Sequence, residues 1–194
     1  AIGGIGWYRK NFTLSKEDKK KTIAIQFDGV YNNASVWING HFLGNRPNGY
    51  STFTYNLSDF LKFDGSKNQI AVKVDHTAYA DSRWYSGSGI YRKVQLIKTN
   101  PLHIATWGVQ ITTPTITKNK ASVLVKTELE NASKNKISKK TCIQYQIIDA
   151  NGKVVAEQKT TSIPTNLISE TTISVNQPVL WSTENPHLYT LKVA

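Results

Sequence analysis

Cysteine is almost missing: Cys142 is the lone thiol among 194 residues, so no internal disulfide can brace the fold. Flanked by "TCIQYQIID", it reads as a small core residue; a nucleophile would need a basic, partly exposed setting with a histidine partner. Long apolar runs are absent too, and none approaches the roughly eighteen residues of a membrane span. The opening "AIGGIGWYRKNF" passes straight into strand-like sequence rather than a secretion signal. Acidic residues are scarce, with 13 Asp and Glu against 24 Lys and Arg and a net charge of +11. Such a balance invites a nucleic-acid reading, but its distribution argues against one. Residues 1–100 carry 14 basic and 7 acidic groups, residues 101–194 carry 10 and 6, and lysines gather in "SKEDKKK" and "NASKNKISKK". These stretches read as solvated turns, not a basic arm, so neither a nucleic acid nor a membrane is an expected partner.

The usual catalytic constellations are also lacking. No G-x-S-x-G elbow occurs, and "SGSGIY" leads into a strand without dinucleotide spacing, so no cofactor motif is visible. His41, His76, His103 and His187 are scattered without metal-ligand spacing, and no sequence rule pairs Asp28, Asp75 or Asp81 as acid and base. Helical periodicity is nearly absent.

Period-two alternation recurs instead. Ile23, Ile25 and Phe27 share one face, as do Ile70, Val72 and Val74, and Val94 with Leu96. Later, Val123 and Val125 alternate, and so do Ile143, Tyr145 and Ile147. Half-buried strands of antiparallel sheets carry this pattern. Asn39-Gly40 and Asn151-Gly152 mark hairpins, and Ser58 is placed to cap one helical turn before Asp64-Gly65. Pro101 cannot donate to a ladder, so a boundary is expected near "KTNPLHI". The chain is therefore expected to be all-β: a jelly-roll sandwich over 1–100, then about seven strands of an immunoglobulin-like sandwich over 101–194. Trp7, Trp37 and Trp107 sit in strand pattern and are expected to pack. Four N-x-[ST] sequons, at Asn11, Asn33, Asn56 and Asn131, would matter only in a glycosylating host.

Two loops gather polar and aromatic chemistry. "ADSRWYSGSG" supplies Asp81, Arg83, Trp84 and Tyr85; "GNRPNGYSTF" supplies Asn45, Arg46, Asn48 and Tyr50. Sugars stack their C–H faces on rings and present hydroxyls to carboxylates, amides and guanidinium groups, so both loops suit carbohydrate. Against this stands a plainer reading of the first loop, in which Trp84 and Tyr85 plug the sandwich end and Arg83 and Asp81 pair as surface charges.

Four stretches, in order, resemble the N-terminal part of glycoside hydrolase family 2: "GIGWYRKNFTL", "IQFDGVYNNASVWINGHFLGNRPNGYSTFTYNLSDFLK", "DSRWYSGSGIYRKVQL" and "PVLWSTENPHLYTLKV". The resemblance implies a galactose-binding-like jelly roll followed by an immunoglobulin-like sandwich. It also implies a third domain, a (β/α)₈ barrel beyond residue 194, whose two glutamates act as acid/base and nucleophile of a retaining mechanism. Catalysis is thus expected of the parent protein, a β-galactosidase-like exo-glycosidase taking a terminal β-linked sugar, and not of this chain alone. By the same resemblance Asp81 holds substrate hydroxyls at the barrel mouth, with Arg83 or Trp84 as alternatives, and Asn45 or Asn48 adds a second contact. No metal ligand is implied within the chain, and a periplasmic or secreted setting is expected by analogy. A free-standing carbohydrate-binding module and a structural β-sandwich pair stand as alternatives.

Overall fold

The computed structural model describes residues 3–77, 87–133, 137–138 and 141–194. The chain divides into two units, Ala1–Pro101 and Leu102–Ala194, and among the described residues the regular elements are strands apart from two short 3-10 turns.

In the first unit one sheet runs β1-β7-β4-β5, from β1 (Gly4–Thr13), β7 (Lys67–His76), β4 (Ala34–Ile38) and β5 (His41–Arg46). A second runs β6-β2-β9, from β6 (Phe53–Asn56), β2 (Thr22–Phe27) and β9 (Val94–Thr99). The short pair β3 (Val30–Tyr31) and β8 (Gly89–Ile90) closes one end. The alternation works as its period demands. Ile23, Ile25 and Phe27 on β2, and Ile70, Val72 and Val74 on β7, are all buried, and Phe27 stacks on Phe53 at 5.0 Å.

Asn39 (φ 49°) and Gly40 (φ 87°) form the expected two-residue turn between β4 and β5. The Asn39 side chain then does a second job. Its Nδ2 donates to Phe60 O and to Asn68 Oδ1, both at 2.8 Å, and its Oδ1 accepts from Gln69 N. Asn68 is fully buried and also exchanges two hydrogen bonds with the Lys62 backbone. A buried amide is tolerable because its oxygen and nitrogen are both satisfied. Ser58 behaves differently from expectation. It starts the turn Ser58–Phe60 but does not cap it; its hydroxyl accepts from Ile23 N at 3.0 Å and so pins the turn to β2.

The second unit packs β10-β11-β14 (Leu102–Ile116, Lys120–Asn131, Ile168–Asn176) against β13-β12-β15 (Val154–Thr160, Ile143–Ile148, Thr190–Val193). That makes six strands among the described residues where about seven were expected. Its core centres on Tyr145, Val125, Ile143, Ile147 and Ile173, and the buried Tyr145 hydroxyl reaches Ser169 Oγ at 3.4 Å. The Asn151-Gly152 turn is longer than a two-residue hairpin. Asp149 Oδ1 accepts from Asn151 N and Lys153 N, and only Gly152 (φ 82°) takes the left-handed conformation.

The tryptophans divide. Trp37 is half-buried and Trp7 stacks on it at 5.3 Å, though Trp7 is itself half exposed. Trp107 does not pack: it is 78 % exposed with φ 60°. It stands in a register irregularity of β10 between Ile104 and Val109, where the bulge turns the side chain outward against the strand pattern.

Candidate functional site at the end of the first sandwich

The alternation of β7 that buries Ile70, Val72 and Val74 carries His76 onto the same inward face, where it is buried at the strand's last position. Its Nδ1 lies 2.6 Å from Ser88 Oγ. His76 and Ser88 stand on either side of residues 78–86 in sequence, so this contact joins the end of β7 to the residue before β8. Asp81, Arg83 and Trp84, three of the expected sugar contacts, fall within 78–86 and lie outside the described residues.

An aromatic stack supports the tie. The Tyr31 ring, buried, meets the His76 ring edge-on at 5.1 Å and 82°, and Tyr50 meets Tyr31 at 5.3 Å and 62°. Edge-to-face pairs of this kind add a little beyond their area, on the order of 1 kcal/mol each. Gly49 lets Tyr31 approach: a Cβ there would lie 2.9 Å from Tyr31 Cγ and closer still to Cδ2. Gly89 (φ 109°) plays the same part for the Tyr8 hydroxyl, which occupies the space a side chain would need. Tyr91 Oη donates to Gly49 O at 2.8 Å, and the Arg92 guanidinium sits 5.4 Å from the Tyr91 ring centre.

The loop between β5 and β6 is built by its own side chains. Asn48 Oδ1 accepts from Tyr50 N (2.8 Å) and Ser51 N (3.1 Å), an Asx turn that aims Tyr50 at Tyr31. Arg46 Nε and Nη2 both donate to Ser51 Oγ, at 3.0 and 2.7 Å. Asn48 is thus on the aromatic end of the sandwich. Asn45 is not brought to that loop: its Nδ2 donates to Ser35 Oγ at 3.0 Å, across the β4–β5 ladder from which both side chains project outward. That outer face also carries Trp7, Trp37 and Phe42, their rings 5.3 Å apart in succession, with Arg9 over Trp7. The rings meet at tilted angles of 32° and 51°, and Trp7 and Phe42 stay about half exposed.

Asp75, one residue before His76, is held below the usual carboxylate range first by the Thr77 hydroxyl (2.7 Å) and then by Lys73 (3.2 Å). Asn32 Oδ1, beside Tyr31, is buried with no donor among the described residues. No group of three metal-ligating side chains occurs among the described residues.

His76, Ser88 and Tyr31 escaped the sequence reading. The available signal was a histidine in register with Ile70, Val72 and Val74, an imidazole at a core position. What the described residues offer is an aromatic and imidazole floor.

Comparison with known proteins places both units. The sugar binding domain of the glycosyl hydrolases family 2 matches residues 1–101, and a second domain of the same family matches residues 102–194. A β-galactosidase of Bacteroides ovatus is 43% identical over 192 residues, which are 97% of this chain and 22% of the relative. A putative β-glucuronidase of Formosa agariphila is 43% identical over 194 residues, 98% of this chain and 18% of the relative. Among solved structures, a family 2 member from Bacteroides cellulosilyticus superposes with a TM-score of 0.84 at 38% identity, covering 98% of this chain and 26% of that one. A family 2 β-glucuronidase gives 0.85 at 32% identity, covering 100% and 22%. The chain therefore spans about a fifth of the length of these two curated relatives.

Proposed function

The chain belongs to glycosyl hydrolase family 2, and from that premise we propose that it is the non-catalytic N-terminal portion of a retaining, β-galactosidase-like exo-glycosidase. The observation that carries this reading is the match of both units, in order, to two successive domains of the family. In the proposal the acid/base and nucleophile glutamates belong to a (β/α)₈ barrel outside residues 1–194, about 5 Å apart as retention requires. The two sandwiches brace that barrel, and the terminal β-linked sugar is cleaved there. A periplasmic or secreted setting fits the breakdown of external polysaccharide.

The first sandwich then lends one wall of the sugar pocket. Asp81, with Arg83 or Trp84 as the alternatives, takes the role of holding substrate hydroxyls. The tie between His76 and Ser88, standing on Tyr31 and Tyr50, supports this role because it holds together the described residues on either side of 78–86 in sequence. Of the two asparagines, Asn48 stands ahead of Asn45, since it belongs to the loop that carries Tyr50 while the Asn45 amide is engaged with Ser35.

The test is hydrolysis of aryl β-galactoside and β-glucuronide by the whole polypeptide, with the anomer of the released sugar followed by NMR. Cleavage with retention, and none by residues 1–194, supports the proposal. Inversion, or sugar binding without cleavage by the whole polypeptide, refutes it; the latter would mark a binding module.

A further inference from the structure

On one flank of the first sandwich, side chains that face the core are left uncovered. On β9, Leu96 and Val94 lie directly opposite Ile25 and Phe27 of β2, which are 4% and 1% exposed. Partners on one face of a ladder point the same way, so Val94 and Leu96 point inward, yet they are 42% and 38% exposed. The other sheet repeats the pattern. Tyr8 on β1 lies opposite the buried Val72 and is 40% exposed. Between these edges runs an apolar groove floored by Ile25, Phe27, Ile70 and Val72 and walled by Tyr8, Phe12, Val94 and Leu96.

Backbone adds a second observation. β9 is the last strand of its sheet, paired only with β2 among the described residues, so one row of its N–H and C=O groups has no ladder partner. That sheet holds three strands against four in the facing one. Toward the end of β9, Lys98 Nζ reaches Asp18 at 2.9 Å and Lys21 Nζ reaches Asn100 at 2.7 Å.

We propose that this groove is the seat of one further β-strand, pairing with β9 and closing the sandwich, and that the strand comes from the same polypeptide outside residues 1–194. An extended segment with alternating apolar side chains would satisfy the idle edge through its backbone and lay its inward residues over Val94, Leu96 and Tyr8. A lipid or an isolated apolar ligand would leave the β9 edge unpaired. For the source of the strand the inference rests on the reading above, in which this chain is about a fifth of a longer protein.

Hydrogen exchange on the whole polypeptide tests it. The β9 amides over 94–98 that point away from β2 should be protected as strongly as those of β2, and independently of protein concentration. Leu96→Lys should lower the melting temperature of the first sandwich by several degrees, while Gln95→Lys, on the opposite face of the same strand, should leave it within about one degree. Free-edge exchange at 94–98, or equal shifts for the two variants, overturns the proposal. Protection that vanishes on dilution assigns the slot to a second copy and overturns it as well. None of these readouts depends on glycoside hydrolysis, so an inactive polypeptide with a protected β9 would refute the proposed function and leave the strand standing.

Discussion

Replacing Asn68 with alanine should be among the most damaging single changes in the first sandwich. The side chain is fully buried and makes three hydrogen bonds: Nδ2 to Lys62 O at 2.9 Å, and Oδ1 from Lys62 N and Asn39 Nδ2, both at 2.8 Å. Truncation strands all three partners. A stranded buried polar group costs about 1–3 kcal/mol. Two discounts apply: Asn39 keeps its bond to Phe60 O, and the exposed Lys62 lets water reach its backbone. The net loss should be about 2–4 kcal/mol, which in a domain of this size is a fall of roughly 10–20 °C in melting temperature. Calorimetry of the whole chain reads it, and the transition of the second sandwich serves as the internal control. A change below about 0.5 kcal/mol in the first transition would show that Asn68 does not join the Asn39 hairpin to the loop before β7.

Gly49→Ala should cost about 1–3 kcal/mol, the usual range for overpacking, because its Cβ would collide with the buried Tyr31 ring; unchanged urea unfolding would contradict this. Asp18 is held below the ordinary carboxylate range first by Lys98 and then by the Ser15 amide. A depressed folded pKa stabilises above the unfolded value and loses that contribution as pH falls through the folded one. Lys98→Ala should therefore move the Asp18 titration, followed by carboxyl NMR, upward toward the ordinary value and flatten the acid limb of stability; an unmoved titration would show that Lys98 is not the principal cause.

Strand identity was legible because a half-buried strand must alternate, and β2, β7 and β12 do so residue by residue. The Asn39-Gly40 turn was legible because few residues other than Asn and Gly accept left-handed conformations. Coverage was not legible. Val94 and Leu96 announce which face points inward, but alternation cannot say whether another strand lies over that face. Trp107 misled for a related reason, since a bulge breaks the period that assigned it inward. The site was half legible. The aromatic and amide loop at 45–50 drew attention by composition, yet its Asn48 first serves the backbone of its own turn. His76 stayed hidden because a lone histidine in an apolar register looks like filler until Ser88 is brought beside it from twelve residues away.

The account's central claim is that the segment 78–86 forms one rim of a sugar pocket completed by another domain. Asp81→Ala in the whole polypeptide measures it. Losing a hydrogen bond between a charged group and a sugar hydroxyl should lower kcat/KM by about thirtyfold, or about 2 kcal/mol, with the melting temperature unchanged. Wild-type kcat/KM in a folded Asp81→Ala protein would contradict the claim.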